Sequence, residues 1–290
     1  MREALYYSKE GISIRCELCP KMCLLSEGES GYCRGKKVVN GKLIAANYGK
    51  CASISIDPIE KKPLYHFNPG SYILSLGPNS CNLGCLFCQN WSISQTECTT
   101  KLISLDELNS MVEKQKLAQV AFTYTEPLMW YEYIWDFAKL TEGKIDIVLV
   151  TNGYLNEQPL KDLVPHIAAM NIDLKSINGD FYSEVCGGDV EVVKRNILIA
   201  YQAGVHIEIT NLLIPGHNDS FSEIEDLAKF IAAIDRNIPL HLSAYHPDYK
   251  FSAHATKLSE IEHACDIASQ YLSRVYAGNV QISKYSLHRC

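Results

Sequence analysis

The sequence predicts an α/β fold: a partial (β/α)6 TIM-like barrel preceded by a small Cys-rich module. Three observations carry this. From residue 71 onward, short apolar runs alternate with segments of helical periodicity. Those runs are almost wholly apolar, as in a sheet that helices cover. Residues 1–70 are instead rich in Cys, Gly and Lys and lack long periodicity. The chain therefore divides into a metal-binding N-terminal module, residues 1–70, and a barrel, residues 71–290.

In the module, residues 37–44 read as a hairpin turning on Asn40-Gly41. The first barrel strand is 72–76. Residues 105–116 form a helix, with Ser104 and Glu107 as its capping box. A strand at 119–124 leads to a helix at 127–140, with Pro127 in its first turn. The strand 145–150 ends at Thr151-Asn152-Gly153, and a helix follows from about residue 158. Residues 170–174 are a strand and 190–202 a helix stopped by Gly204. The strand 205–213 closes on Pro215-Gly216. A helix at 222–234, a strand at 239–244 and a helix at 258–271 complete the series. Such parallel connections are right-handed, and about six units fall short of a closed eight-unit barrel. Polar residues collect at the C-terminal strand ends: Glu126, Thr151, Asn152, Lys175, Asn211 and His246. That rim is where α/β folds bind ligands.

Composition bounds the function. With 47% apolar and 21% charged residues in 290, the chain reads as a soluble globular protein. No apolar run reaches the ~18–20 residues of a membrane span. Residues 1–10 carry no apolar signal core, so a cytoplasmic protein is expected. A net charge of −6 gives no general attraction to nucleic acid or anionic membranes. Twelve cysteines without a signal peptide point to metal binding or catalysis rather than disulfides. Cys51, Cys98, Cys186, Cys265 and Cys290 are scattered and read as buried small apolar side chains.

The other seven cysteines form two groups. Cys81, Cys85 and Cys88 have the spacing Cys-x3-Cys-x2-Cys, with Phe87 before the last. Thiolates suit iron–sulfur clusters and zinc. A [4Fe–4S] cluster usually takes four cysteines, and structural zinc also wants a fourth ligand. Three ligands on a loop after the first strand leave one iron open to an external ligand. The competing reading is a zinc knuckle. Cys16, Cys19, Cys23 and Cys33 lie within 18 positions, with Gly28, Gly31 and Gly35 turning the chain around them. Four thiolates suit structural zinc or a second iron–sulfur cluster, and the spacing does not choose between them. A structural metal is the preferred reading. The segment 57–63, with mixed charge between prolines, reads either as a solvated connector or as a lid or substrate-docking strap joining module to barrel.

The three-cysteine loop resembles the signature of the radical S-adenosylmethionine (SAM) superfamily, with Phe87 at its aromatic position. The resemblance implies a [4Fe–4S] cluster whose open iron is chelated by the amino and carboxylate groups of SAM. Reductive cleavage of SAM then gives a 5′-deoxyadenosyl radical that abstracts hydrogen from a substrate. Several segments resemble the activating-enzyme branch. Tyr124-Thr125-Glu126-Pro127 stands where that branch has Gly-Gly-Glu-Pro, which grips the SAM amino group. Thr151-Asn152-Gly153 and Asp173-Leu174-Lys175 match further motifs, with Lys175 implied at the SAM carboxylate and His246 near the ribose. Val150 replaces an Asp that helps bind a monovalent cation, so no cation site is predicted.

Three longer stretches, 56–70, 211–219 and 245–250, with 275–280, look like the radical SAM member of the AmmeMemoRadiSam group, which is similar to pyruvate formate-lyase activating enzyme. The likeness runs from about Cys16 to Val280. Members often continue with further cysteines, so a C-terminal metal knot is expected to be absent or cut short at Cys290. The implied protein is a radical SAM oxidoreductase. Its implied partners are a reductant such as flavodoxin or ferredoxin and a protein or peptide substrate. A glycyl-radical enzyme is the alternative substrate, against which the missing Gly-Gly pair and Asp weigh. The reading from another class is a non-catalytic electron carrier or a zinc-stabilised interaction protein.

Overall fold

Short strands and tight turns build the N-terminal segment in a computed structural model that describes residues 1–286. Cys290 lies outside the described residues. Tyr7–Glu10 (β1), Ser13–Cys16 (β2) and Leu24–Leu25 (β3) form one antiparallel sheet. Lys36–Val39 (β4) and Lys42–Ala45 (β5) form the expected hairpin. Asn40 and Gly41 take φ of 52° and 67°, the left-handed pair that a two-residue hairpin turn requires.

The large sheet has nine strands. In chain order they are Lys50–Pro58 (β6), Tyr72–Pro78 (β7), Lys101–Leu102 (β8), Gln119–Phe122 (β9) and Asp146–Thr151 (β10). Ala169–Asp173 (β11), His206–Leu213 (β12), Leu240–Ala244 (β13) and Val275–Gly278 (β14) follow. Their spatial order is β14-β13-β12-β11-β10-β9-β7-β6-β8. From β7 through β14 every neighbouring pair is parallel, which gives a partial barrel. Two features go beyond the sequence expectation. β14 adds a seventh parallel strand; four residues are too few for periodicity to reveal. β6 pairs antiparallel with β7, so residues 50–58 hydrogen-bond into the large sheet although they precede the division at residue 70.

Six longer helices cover the sheet: Leu105–Lys114 (α1), Tyr131–Thr141 (α2), Glu157–Leu163 (α3), Val190–Gln202 (α4), Phe221–Ile234 (α5) and Leu258–Ala268 (α6). The Ser104–Glu107 capping box forms as predicted. Asp189 and Ser220 cap α4 and α5 through their side-chain oxygens. One apolar cluster runs from Leu18, Leu25 and Leu43 of the N-terminal segment into the barrel interior, so the two parts share a core. Their junction also holds a buried ion pair. Lys36 and Glu132 are each 1% exposed, at 2.6 Å, and Lys36 Nζ also donates to the Met129 carbonyl at 3.1 Å. Among the described residues no helix is long and apolar enough to cross a membrane.

Candidate active site

The loop after β7 carries Cys81, Cys85 and Cys88 to the C-terminal rim of the sheet. It is pinned by backbone. Gly84 N–H donates to the Cys186 carbonyl at 2.9 Å, and Leu86 N–H to that of Val185 at 3.0 Å. Lys250 N–H donates to the Leu86 carbonyl at 2.9 Å. The three cysteines line a cavity of about 350 Å³, within the usual range of ligand pockets. Phe87, Thr125, Glu126, Asn152, Asp173 and Lys175 line the same cavity, so most of the sequence-predicted site residues come together there.

Each is held by its strand end. Glu126 is 1% exposed and accepts three hydrogen bonds. They come from Thr151 Oγ1 at 2.7 Å, Asn152 N at 2.8 Å and Leu128 N at 2.9 Å. Burial outweighs these donors and pushes the carboxyl up to about 7. Thr151 thus acts on the site through Glu126 rather than from the cavity wall. Thr125 Oγ1 donates to the Pro78 carbonyl at 2.7 Å. Asn152 Nδ2 donates to Asn82 Oδ1 at 2.9 Å. Lys175 Nζ meets Asp173 at 2.9 Å. Burial alone would lower the Lys175 ammonium, but Asp173, Cys85 and Cys186 outweigh it and raise it well above its usual range. His246 is exposed and does not line the cavity. Ser243 and Asn279, from β13 and the turn after β14, contribute there instead.

Tyr124 holds φ of 68°, the left-handed region that favours glycine. Its hydroxyl donates to Asp57 Oδ2 at 3.2 Å, and Lys62 Nζ lies 4.7 Å from its ring centroid. Asp57 and Lys62 pair at 2.8 Å, so the 57–63 segment straps Tyr124 at the cavity. Gln89 and Asn90 also line the cavity and are exposed, which leaves its mouth open.

The donor set fits an iron–sulfur cluster with one open iron. Burial, reinforced by the Glu126 carboxylate, raises the Cys81 thiol well above its usual range. A soft metal is what would hold such a buried sulfur as thiolate. Sequence reasoning missed Cys186. It is buried as expected of a small apolar side chain, but its thiol lies beside Cys85 and lowers the Cys85 thiol. Only the fold brings these two cysteines together. Cys51 and Cys265 are buried and Cys98 is half-buried. Cys16, Cys19, Cys23 and Cys33 line a second, enclosed cavity beside Asn82.

Comparison with known proteins agrees with this geometry. The family model of the radical SAM superfamily matches residues 77–231. An uncharacterised protein of Methanocaldococcus jannaschii is 39% identical over 97% of this chain and 86% of its own length. A probable GTP 3′,8-cyclase of Methanococcus vannielii is 32% identical, but over only 57% of this chain and 56% of the cyclase. The Streptococcus suis SuiB structure bound to S-adenosylmethionine shares the fold, with a TM-score of 0.57 at 13% identity. That match covers 69% of this chain and 48% of SuiB. The family match begins at the end of β7 and takes in the three-cysteine loop, Glu126, Asn152 and Lys175: the chain belongs to the radical SAM superfamily, which implies a [4Fe–4S] cluster and SAM.

Proposed function

We propose that this protein is a radical SAM oxidoreductase that reductively cleaves SAM and abstracts hydrogen from a protein or peptide substrate. One observation carries the reading. Cys81, Cys85 and Cys88 share a cavity at the C-terminal sheet rim with Glu126, Asn152, Asp173 and Lys175. In this reading the three cysteines hold a [4Fe–4S] cluster that, with SAM bound, supplies a 5′-deoxyadenosyl radical. The chain's own residues bind and orient. Lys175 offers a point charge to the SAM carboxylate. That requires it to leave or share Asp173, its present partner. Glu126 and the backbone at Thr125 face the SAM amino group, and Thr151 and Asn152 fix Glu126. Phe87 packs behind the loop against Phe181 and Phe251. His246 would reach the ribose only if its segment moved inward.

The open mouth at Gln89 and Asn90 supports a substrate presented by a larger molecule. The reductant is a low-potential electron carrier such as flavodoxin or ferredoxin. The setting is the cytoplasm, where thiols stay reduced.

Anaerobic protein with rebuilt clusters, given dithionite and SAM, is expected to release 5′-deoxyadenosine. The variant with Cys81, Cys85 and Cys88 all changed to Ala is expected to release none. Iron-loaded wild-type protein that leaves SAM intact would overturn the proposal.

A further inference from the structure

The four early cysteines line one small, enclosed cavity together with Lys36 and Asn82. Cys81, Cys85 and Cys88 line the neighbouring cavity, on the loop where the family match implies a [4Fe–4S] cluster.

The surroundings suit thiolate ligands. Tyr32 N–H points at Cys23 Sγ at 3.5 Å and Gly35 N–H at Cys33 Sγ at 3.4 Å. The buried Lys36 lines the same cavity and brings an ammonium, shared with Glu132. Hydrogen bonds to the sulfurs are one lever on cluster potential.

The position of this cavity links it to the first cysteine set. Asn82 lines this cavity, and its chain neighbour Cys81 lines the other. The Asn82 side chain bonds onward to Asn152 at 2.9 Å, which also lines the SAM-side cavity. One residue thus separates the two cysteine sets.

We propose that Cys16, Cys19, Cys23 and Cys33 hold a second, fully cysteine-ligated [4Fe–4S] cluster that passes electrons to the cluster at Cys81, Cys85 and Cys88. This replaces the structural metal preferred from sequence, and the electron-transfer part rests on the proposed function. A low-potential one-electron donor, a flavin or iron–sulfur protein, reduces the second cluster from the 2+ to the 1+ state. That cluster returns to 2+ as the first goes from 2+ to 1+.

The test uses the full chain, rebuilt without oxygen, as wild type and as the C81A/C85A/C88A variant. The variant is expected to keep about four irons and four sulfides per chain with a [4Fe–4S] Mössbauer signature, and the wild type about eight of each. One zinc and no iron in the variant would overturn the second cluster. Dithionite-reduced wild type is expected to show magnetic broadening between two paramagnetic clusters by EPR, absent from the variant. Two fully reduced clusters without that interaction would overturn the electron path. A wild type with eight irons that leaves SAM intact would sink the proposed function and leave the second cluster standing.

Discussion

Tyr124 and Glu126 show how single residues set the site. Tyr124 takes a left-handed backbone conformation that favours glycine, and Asp57 and Lys62 hold its ring at the cavity wall. Glu126 is held near 7 by burial, above its ordinary value of 4.5. A carboxyl with a raised folded value favours the folded state when protonated. That stabilisation is fully present below about pH 4.5 and is lost as pH rises through about 7. The Glu126→Gln variant cannot titrate there. Urea unfolding across pH 4.5 to 7 is expected to show a flatter pH dependence for the variant than for wild type. Identical slopes would show that Glu126 does not titrate in this window.

At the scale of elements, the cluster loop depends on what packs against it. The sequence showed the loop and its first strand. It did not show that the 182–186 segment hydrogen-bonds to the loop and brings Cys186 to Cys85, because those partners lie about a hundred positions apart and meet only through β11 and α4. The pairing of β7 with β9 has a similar close approach. A Cβ at Gly77 would stand 2.1 Å from the Thr123 carbonyl oxygen, a backbone atom that cannot swing aside. Gly77→Ala is expected to destabilise the protein by more than about 3 kcal/mol. Gly179→Ala, which meets no atom within 4 Å, is the control and should melt near wild type. A Gly77→Ala protein with an unchanged melting temperature would contradict this packing.

For the molecule as a whole, the Lys36–Glu132 pair ties the N-terminal segment to the barrel. Removing one partner strands a buried charge, so Lys36→Met is expected to cost about 3–5 kcal/mol in chemical unfolding. The double variant K36M/E132L should recover most of that loss, because it buries apolar groups in place of charges. A double variant no better than the single would mean that Lys36 acts elsewhere, at the four sulfurs.

The repeating strand–helix order, the capping box, the Asn40-Gly41 turn and the three-cysteine loop are all legible in the sequence. These are local: each is set by periodicity, backbone propensity or ligand spacing over a few residues. It also placed Glu126, Asn152, Asp173 and Lys175 at strand ends, and parallel pairing then carries them to one rim. Long-range packing is what extends the sheet with β6 and β14, turns His246 to solvent and makes Thr151 work through Glu126. It alone put Asn82 between the two cysteine sets. Spacing along a chain says which sulfurs can meet, whereas the distance at which they stop depends on every side chain packed around them.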